Sequence, residues 1–234
     1  MPPYYLRQNT FYCLANGHLV FLDLETDKYL CLDQEKSRIC PDLWTDKPHQ
    51  NQGDPMDDAL NTIAQALLGQ RLITQNQDKS AAPCPPTLPK ASETLLTLNS
   101  PGKANITFGH FLSFLKAAFV ATYRLRFQSL KQVVTHVNER RTKHEKLLHP
   151  FDNEQARILV NSFTTLRPLL PSRGQCLFNA LALIEYLASY DIFPNWVFGV
   201  RMAPFIAHCW VQNKDVVFNE PLDHIASLTP IMVV

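Results

Sequence analysis

The chain has 234 residues, which is enough for one large domain or two small domains with hydrophobic cores. Hydrophobic residues make up 46% of it, charged residues 18%, and the net charge is +1, so composition gives no argument for binding to nucleic acid or to a membrane. Its most apolar window, residues 110–123, contains Lys116 and is shorter than the roughly 20 residues of a membrane-spanning helix.

Six cysteines are spread along the chain without a CxxC motif or a regular spacing. In a chain of this length that pattern does not predict a disulfide framework. Residues 1–5 also lack the basic start and the apolar run of a signal peptide. We therefore expect a cytoplasmic protein with free thiols.

The N-terminal part begins with three short runs of aromatic and aliphatic residues, at positions 11–14, 18–24 and 29–32. Turn-forming residues separate these runs, so each is predicted to be a strand. Asp33 follows the third run and is suited to cap a short helix.

A second helix is predicted from Asp57 or Asp58 to Gly69, because apolar residues recur there at spacings of three and four. Its apolar face consists of Leu60, Ile63, Ala64, Leu67 and Leu68. Together these segments predict a small domain of three strands and three helices over residues 1–75.

Residues 76–105 differ from this domain in composition. They hold five of the 17 prolines and show neither helical nor strand periodicity before Leu95. Such a composition is typical of a linker between domains. The alternative is an irregular excursion within a single domain.

The sequence becomes helical from residue 106. A stripe of large apolar residues recurs at helical spacing and is expected to face the core; its members are Phe108, Phe111, Leu112, Leu115 and Phe119. A second helical segment continues this pattern at Leu130, Val133, Val134 and Val137. A third helix is predicted from Asp152, which forms a capping-box pattern with Gln155.

The next helix carries Cys176 close to its start, and Ser172 is suited to cap it. A helix N-terminus favours negative charge, so the pKa of a thiol there falls and the nucleophilic thiolate forms more readily. The backbone N–H of Cys176 lacks an intrahelical partner and can donate to an oxyanion, as can the side chain of Gln175.

Three strands follow, at residues 195–201, 206–212 and 216–220, and the middle one carries His208. Strand alternation places His208 on one face and Cys209 on the other. On spacing alone, a lone cysteine and a histidine in a strand are more often structural than catalytic.

The turn after the middle strand decides which side chain could orient the ring of His208. A two-residue turn would place His208 opposite Asn219, and a three-residue turn would place it opposite Glu220. Either side chain could complete a set of nucleophile, base and orienting residue. Sequence alone does not choose between them.

We expect neither a metal nor a cofactor. His208, Cys209 and His224 do not have the spacing of a structural zinc site. A glycine-rich phosphate loop is also missing from the sequence, which has only seven glycines.

Residues 106–234 resemble the lasso-peptide biosynthesis B proteins. The resemblance lies in the strings CLFNALALIEYL, FGVRMAPFIAHCWVQ and VVFNEPLDHIASLTPIMVV. It implies a C-terminal papain- or transglutaminase-like cysteine peptidase domain, which removes the leader from a ribosomal precursor peptide. Carried over by position, the nucleophile is Cys176, the base is His208 and the acidic third residue is Glu220, where the family usually has an aspartate.

The N-terminal part, NGHLVFLDLETDKYLCLDQEKSRICPDLW, is similar to a small, winged-helix-like precursor-recognition domain related to the quinone-cofactor chaperone family. This similarity implies that the leader adds as a strand beside Tyr29, Leu30, Cys31 and Leu32. The chain as a whole is thus expected to be an α+β protein with a recognition domain, a linker and a peptidase domain.

The resemblance also implies partners: the precursor peptide and an ATP-dependent, asparagine-synthetase-like cyclase that closes the macrolactam ring. Two alternatives stay open. One is a non-catalytic scaffold that binds the precursor for the cyclase, and the other is a transglutaminase that transfers amines from the same thioester.

Overall fold

A computed structural model describes residues 4–40, 55–81, 87–96, 106–145, 153–170 and 176–234. The chain divides into two compact units. The first comprises Met1–Pro86 with the segment Arg201–Phe205, and the second comprises Thr87–Val200 with Ile206–Val234. Both contain helices and strands, so the protein is of the mixed α+β class.

The first unit contains two small antiparallel sheets and two α-helices among its described residues. Its elements are β1 (Tyr5–Arg7), β2 (Thr10–Ala15), β3 (His18–Asp23), β4 (Lys28–Cys31), α1 (Gln34–Ile39), α2 (Pro55–Gly69), β5 (Ile73–Thr74) and β6 (Ser80–Ala81). Strands β2, β3 and β4 form a meander, and β1 lies between β5 and β6 in the second sheet.

The meander has the strands that the sequence predicts, and turn chemistry sets its register. Asn16 and Gly17 both adopt positive φ, at 50° and 78°, as the two-residue hairpin between Ala15 and His18 requires. The second sheet was not predicted, because its strands are only two or three residues long. Strand β6 lies within the region predicted to be a linker.

The two helices whose positions the sequence predicts are present, but the described residues of this unit contain two α-helices and not the predicted three. The Asp33 side chain accepts a hydrogen bond of 2.8 Å from the backbone N–H of Lys36 and so caps α1. Helix α2 contributes its apolar face to a core that it shares with β3, where Leu19 and Phe21 are buried. Residues 41–54, between α1 and α2, lie outside the described residues.

The second unit contains a five-stranded sheet, whose strand order is β11-β8-β9-β10-β7, and a group of helices. Its elements are β7 (Glu93–Thr94), α3 (Phe108–Phe127), α4 (Leu130–Glu145), α5 (Asn153–Leu166), α6 (Cys176–Ala188), β8 (Asn195–Arg201), β9 (Ile206–Asn213), β10 (Val216–Val217), α7 (Leu222–Ile225) and β11 (Thr229–Val233). Strand β7, which also lies within the predicted linker, pairs in parallel with β10.

Helix α6 lies at the centre of the second unit. Every residue from position 180 to 187 is buried, which agrees with a sequence that is apolar on all sides of the helix. Helix α6 packs against strand β9 of the sheet and against helices α3 and α5. Its position therefore fixes where its first residue, Cys176, lies relative to β9.

Glu185 is the one charged residue of α6, and it is buried. Its carboxylate accepts two hydrogen bonds from Arg140 of α4, at 2.8 and 3.1 Å, and lies 3.4 Å from Nη1 of Arg124 of α3. These contacts tie three helices together. Breaking such a buried pair from one side costs about 3–5 kcal/mol, because the remaining charge stays buried without a partner.

The prediction that the large apolar stripe of α3 faces the core is wrong. Phe108 and Phe119 are 75% and 72% exposed, and Leu112 and Leu115 are exposed as well. The buried side of α3 instead consists of Phe114, Ala117, Ala118 and Ala121. Helical spacing reveals an apolar stripe but not whether it points inward, and the small residues of the opposite side allow α6 to approach closely.

The other helices follow the predicted pattern. Val133, Val134 and Val137 of α4 are buried. Four residues of α5 that recur at helical spacing are buried as well, namely Ala156, Leu159, Val160 and Phe163. The predicted cap of α5, Asp152, lies outside the described residues.

Gly199 of β8 is required by close packing, and we predict that Gly199→Ala destabilises the second unit. A Cβ atom at this position would lie 2.7 Å from the buried ring of Trp210 and 3.2 Å from the carbonyl oxygen of Thr229. Overpacking of this kind costs about 1–3 kcal/mol. The free energy of unfolding in urea, followed by tryptophan fluorescence, measures the loss.

Gly109→Ala in α3 is the matched control. A Cβ atom at Gly109 would meet only Thr107 Oγ1, at 3.6 Å, so the free energy of unfolding should stay the same or rise slightly. Equal stability of the two variants would contradict the packing argument.

Candidate active site

Cys176 is the first residue of α6, and its side chain is only partly buried. Its thiol is therefore placed where the partial positive charge of a helix N-terminus stabilises a thiolate. Ser172 and Gln175, the predicted cap and the predicted oxyanion donor, lie outside the described residues.

Strand β9 brings His208 and Cys209 to this sulfur. Hydrogen bonds from the Cys209 side chain and from His208 lower the pKa of Cys176 to about 4, against the opposing effect of burial. The backbone N–H of Cys209 also donates to the sulfur. Cys176 is therefore a thiolate at neutral pH.

Glu220 lies on the other side of the His208 ring. Nε2 of His208 is 3.1 Å from Oε1 of Glu220. The N–H is not directed along this line, so the contact is an ion pair at hydrogen-bond distance rather than a linear hydrogen bond. Because Nε2 faces the carboxylate, Nδ1 is the ring nitrogen left for the sulfur of Cys176.

The interactions with Cys176 and then with Glu220 raise the pKa of His208 to about 9, although burial opposes this shift. His208 is therefore protonated when Cys176 is a thiolate. Between about pH 4 and pH 9 the pair is a thiolate and an imidazolium, which combines a nucleophile with a proton donor.

Both predicted registers of the hairpin after β9 are wrong. The turn has two residues but lies at Lys214 and Asp215, so that Val216 pairs with Asn213. Regular pairing ends with the hydrogen bond from the N–H of Phe218 to the carbonyl oxygen of Val211. The contact between Glu220 and His208 is thus made beyond the end of the strand pair, where pairing rules do not apply.

Asn219, the alternative orienting residue, has a different partner. Its Oδ1 accepts a hydrogen bond of 2.8 Å from the backbone N–H of Val211. In a regular ladder the N–H of Val211 would donate to the carbonyl oxygen of Phe218, so this bond ends the regular pairing and fixes the course of the chain just before Glu220. Asn219 thus contacts the backbone of β9 rather than the ring of His208.

Two further contacts hold Glu220 in place. Thr94 of β7 donates a hydrogen bond of 2.9 Å to its carbonyl oxygen, and Nδ1 of His224 in α7 lies 3.3 Å from Oε2 of its carboxylate. Sequence analysis considered His224 only as a metal ligand. The i,i+4 spacing of Glu220 and His224 across the short helix α7 was the signal that was missed.

Cys209 was also missed. Strand alternation predicted that it points away from His208, and its thiol is indeed buried, yet it contacts Cys176. The hydrogen bond with Cys176 and burial raise the pKa of Cys209 well above its ordinary value, so that it stays a thiol and can donate. No local signal in the sequence predicts this contact, since it depends on how α6 packs against β9.

The residues predicted to bind a leader peptide lie on β4, an edge strand of the described meander. Leu30 and Leu32 pack against the core of the first unit. Tyr29 and Cys31 face the other side, where they contact Phe205 and Met202 of the segment Arg201–Phe205, which belongs to this unit. Within the described residues β4 thus has one strand neighbour.

Within the part of the chain that the structure describes, His, Cys, Asp and Glu side chains form no group of three or more that could hold a metal ion. The described helices are also too short or too polar to cross a membrane.

A thiolate at a helix N-terminus, paired with an imidazolium that contacts a carboxylate, is the arrangement that thiol-dependent acyl-transfer enzymes use. The model of the transglutaminase-like superfamily matches residues 117–233, which is half of the chain and includes all three residues. The chain therefore belongs to the transglutaminase-like superfamily, in which cysteine-peptidase activity is common. Neither a curated protein nor a solved structure matches it significantly.

We predict that Cys176 reacts with iodoacetamide at a rate that changes near pH 4 and again near pH 9, as its own thiol and then His208 lose their protons. In His208→Ala the pKa of Cys176 should rise, because one hydrogen bond and one positive charge are lost. Peptide mass spectrometry separates the alkylation of Cys176 from that of the other cysteines. A single transition close to pH 9 in the wild type would contradict the ion pair.

Glu220→Gln should lower the pKa of His208, because it removes the negative charge that stabilises the imidazolium. The upper transition of the alkylation profile should therefore move below pH 9. Asp223→Asn is the matched control, because it removes an exposed carboxylate of α7 three residues further along the chain and should leave the upper transition near pH 9. If the upper transition moved in Asn219→Ala but not in Glu220→Gln, the residue that orients His208 would be Asn219 rather than Glu220.

Proposed function

We propose that the protein is a cysteine endopeptidase that cleaves the leader from a ribosomal lasso-peptide precursor. The observation that carries this proposal is the contact of Cys176, His208 and Glu220 in a chain of the transglutaminase-like superfamily. The resemblance of residues 106–234 to the lasso-peptide B proteins supplies the substrate class.

In the proposed reaction the Cys176 thiolate attacks the carbonyl carbon of the scissile peptide bond. The oxyanion that forms accepts a hydrogen bond from the backbone N–H of Cys176, which has no intrahelical partner. The His208 imidazolium gives its proton to the leaving amine, so that the core peptide departs with a free N-terminus and the leader remains as a thioester.

Water then hydrolyses the thioester. Neutral His208 accepts a proton from the attacking water molecule and the Cys176 thiolate leaves, so that the leader is released as a carboxylate. The carboxylate of Glu220 orients the ring of His208, and His224 contacts the second oxygen of that carboxylate.

The leader would bind to the first unit by adding a strand beside Tyr29, Leu30, Cys31 and Leu32. The position of β4 at the edge of the meander supports this role, because an edge strand offers backbone groups to an added strand. Tethering by the leader would raise the effective concentration of the cleavage site near Cys176.

The proposed partner is an ATP-dependent, asparagine-synthetase-like cyclase, which would join the freed amine to a side-chain carboxylate of the core peptide. ATP use belongs to that partner, because attack by a thiolate on a peptide bond needs no nucleotide. The reaction of the present chain should therefore proceed with protein and precursor alone.

Amine transfer is the second candidate function, since the same thioester can be captured by an amine instead of water.

The scaffold alternative rested on a single argument, which was the glutamate in place of the usual aspartate. Glu220 makes the ion pair with His208 despite its longer side chain.

We predict that Cys176→Ala and His208→Ala each lower the rate of precursor cleavage by about 10³-fold or more, because nucleophile and proton donor act as a unit. The masses of the products, read after incubation of protein and precursor, measure cleavage. A product with an added amine mass, formed in the presence of a primary amine, would favour transferase activity.

Arg38→Ala, on α1 in the first unit, is a control for effects of substitution alone and should cleave at the wild-type rate. Cleavage by Cys176→Ala and His208→Ala at that same rate would refute the peptidase. Undiminished precursor binding after deletion of residues 1–75 would refute recognition by the first unit.

A further inference from the structure

Helix α3 carries a row of large apolar side chains that point away from the protein. The row, called here the aromatic face, consists of Phe108 (75% exposed), Leu112 (50%), Leu115 (43%), Phe119 (72%), Tyr123 (51%) and Phe127 (71%). Successive members are three or four residues apart, so they lie along one side of the helix. The helix has 20 residues, which makes the row about 30 Å long.

This exposure is not required by the packing of α3. The opposite side of the helix, with Phe114, Ala117, Ala118 and Ala121, already provides the contacts with the rest of the second unit. Six large apolar side chains in one exposed row form a larger patch than isolated surface residues do. Such a patch indicates a binding surface.

The charges on this part of the chain are all positive. From residue 106 to residue 138 the sequence contains no aspartate or glutamate, whereas Lys116 and Arg126 lie on the same side of α3 as the aromatic face. Arg124, by contrast, points inward to Glu185. Helix α3 therefore combines exposed apolar side chains with cations and contains no carboxylate.

This combination decides between the possible occupants. A second copy of the chain would bring Lys116 and Arg126 of both copies into one apolar seam without a carboxylate to pair with them, which is costly. An anionic lipid surface satisfies both features, because rings and leucines enter the boundary of the acyl chains while the cations reach the phosphates.

We propose that α3 is an interfacial helix and that its aromatic face binds an anionic membrane surface. The net charge of +1 does not reveal the positive charge of α3, because the acidic residues lie elsewhere in the sequence. This proposal differs from the sequence-based expectation of no membrane partner, which stays a prediction. The proposal is independent of the chemistry at Cys176.

The test is co-sedimentation of the full-length protein with vesicles made of equal parts of phosphatidylglycerol and phosphatidylcholine. We expect binding that weakens as salt is raised, and little binding to vesicles of phosphatidylcholine alone. Phe119→Glu should weaken binding about tenfold or more, because it places a negative charge at the lipid boundary. Lys116→Gln combined with Arg126→Gln should weaken binding to the anionic vesicles specifically.

Leu14→Glu is the matched control, because Leu14 is 58% exposed but lies on β2 of the first unit. Leu14→Glu should bind vesicles as the wild type does. Unchanged thermal unfolding of Phe119→Glu, with unchanged alkylation of Cys176, shows that its fold is intact.

Three results would overturn the proposal. The first is a wild-type protein that does not sediment with anionic vesicles, and the second is equal binding by wild type and Phe119→Glu. The third is a dimer in sedimentation velocity that Phe119→Glu dissociates while vesicles have no effect, which would assign the face to a second copy.

Discussion

The burial of α6 over residues 180–187 is the constraint on which the second unit depends. A helix buried on all sides cannot leave a polar group to solvent, so each polar side chain that it carries must find a partner within the protein. Glu185 does so with Arg140 and Arg124, which attaches α6 to α4 and α3. Cys176, at the first residue, is the point where this buried helix reaches the surface, and its thiolate is held by β9. The same packing thus provides both the stability of the unit and the position of the Cys176 thiolate.

The site is completed where regular structure ends. Strand β10 has only two residues, and the ladder with β9 stops at Phe218. Beyond Phe218, the side chain of Asn219 accepts a hydrogen bond from the backbone N–H of Val211. Thr94 then donates a hydrogen bond to the carbonyl oxygen of Glu220. Because Glu220 lies beyond the paired strand, its side chain is not confined to one face of the sheet and can contact His208. A carboxylate placed in this way raises the pKa of His208 and so supports the thiolate as well.

Local patterns in the sequence predicted what depends on local physics. The strands around the turn at Gly17, the cap at Asp33 and the position of Cys176 at a helix N-terminus all follow from neighbouring residues. The contact between Cys209 and Cys176 could not be predicted, because it joins two elements whose packing is not encoded nearby. Both predicted registers of the β9–β10 hairpin were wrong, since Lys214, with φ of 50°, occupies a turn position that usually favours glycine or asparagine.

The error at α3 has a different cause. The helix has two apolar sides, and the side with the larger side chains was assigned to the core on the assumption that large apolar residues are buried first. The protein instead buries Ala117, Ala118 and Ala121, which lets α3 and α6 approach closely enough for Arg124 to reach Glu185. Large side chains on that side would separate the two helices and weaken the ion pair. The small residues are therefore needed on the buried side of α3. The packing of the unit does not require large apolar side chains on the exposed side, and an external surface would bury them.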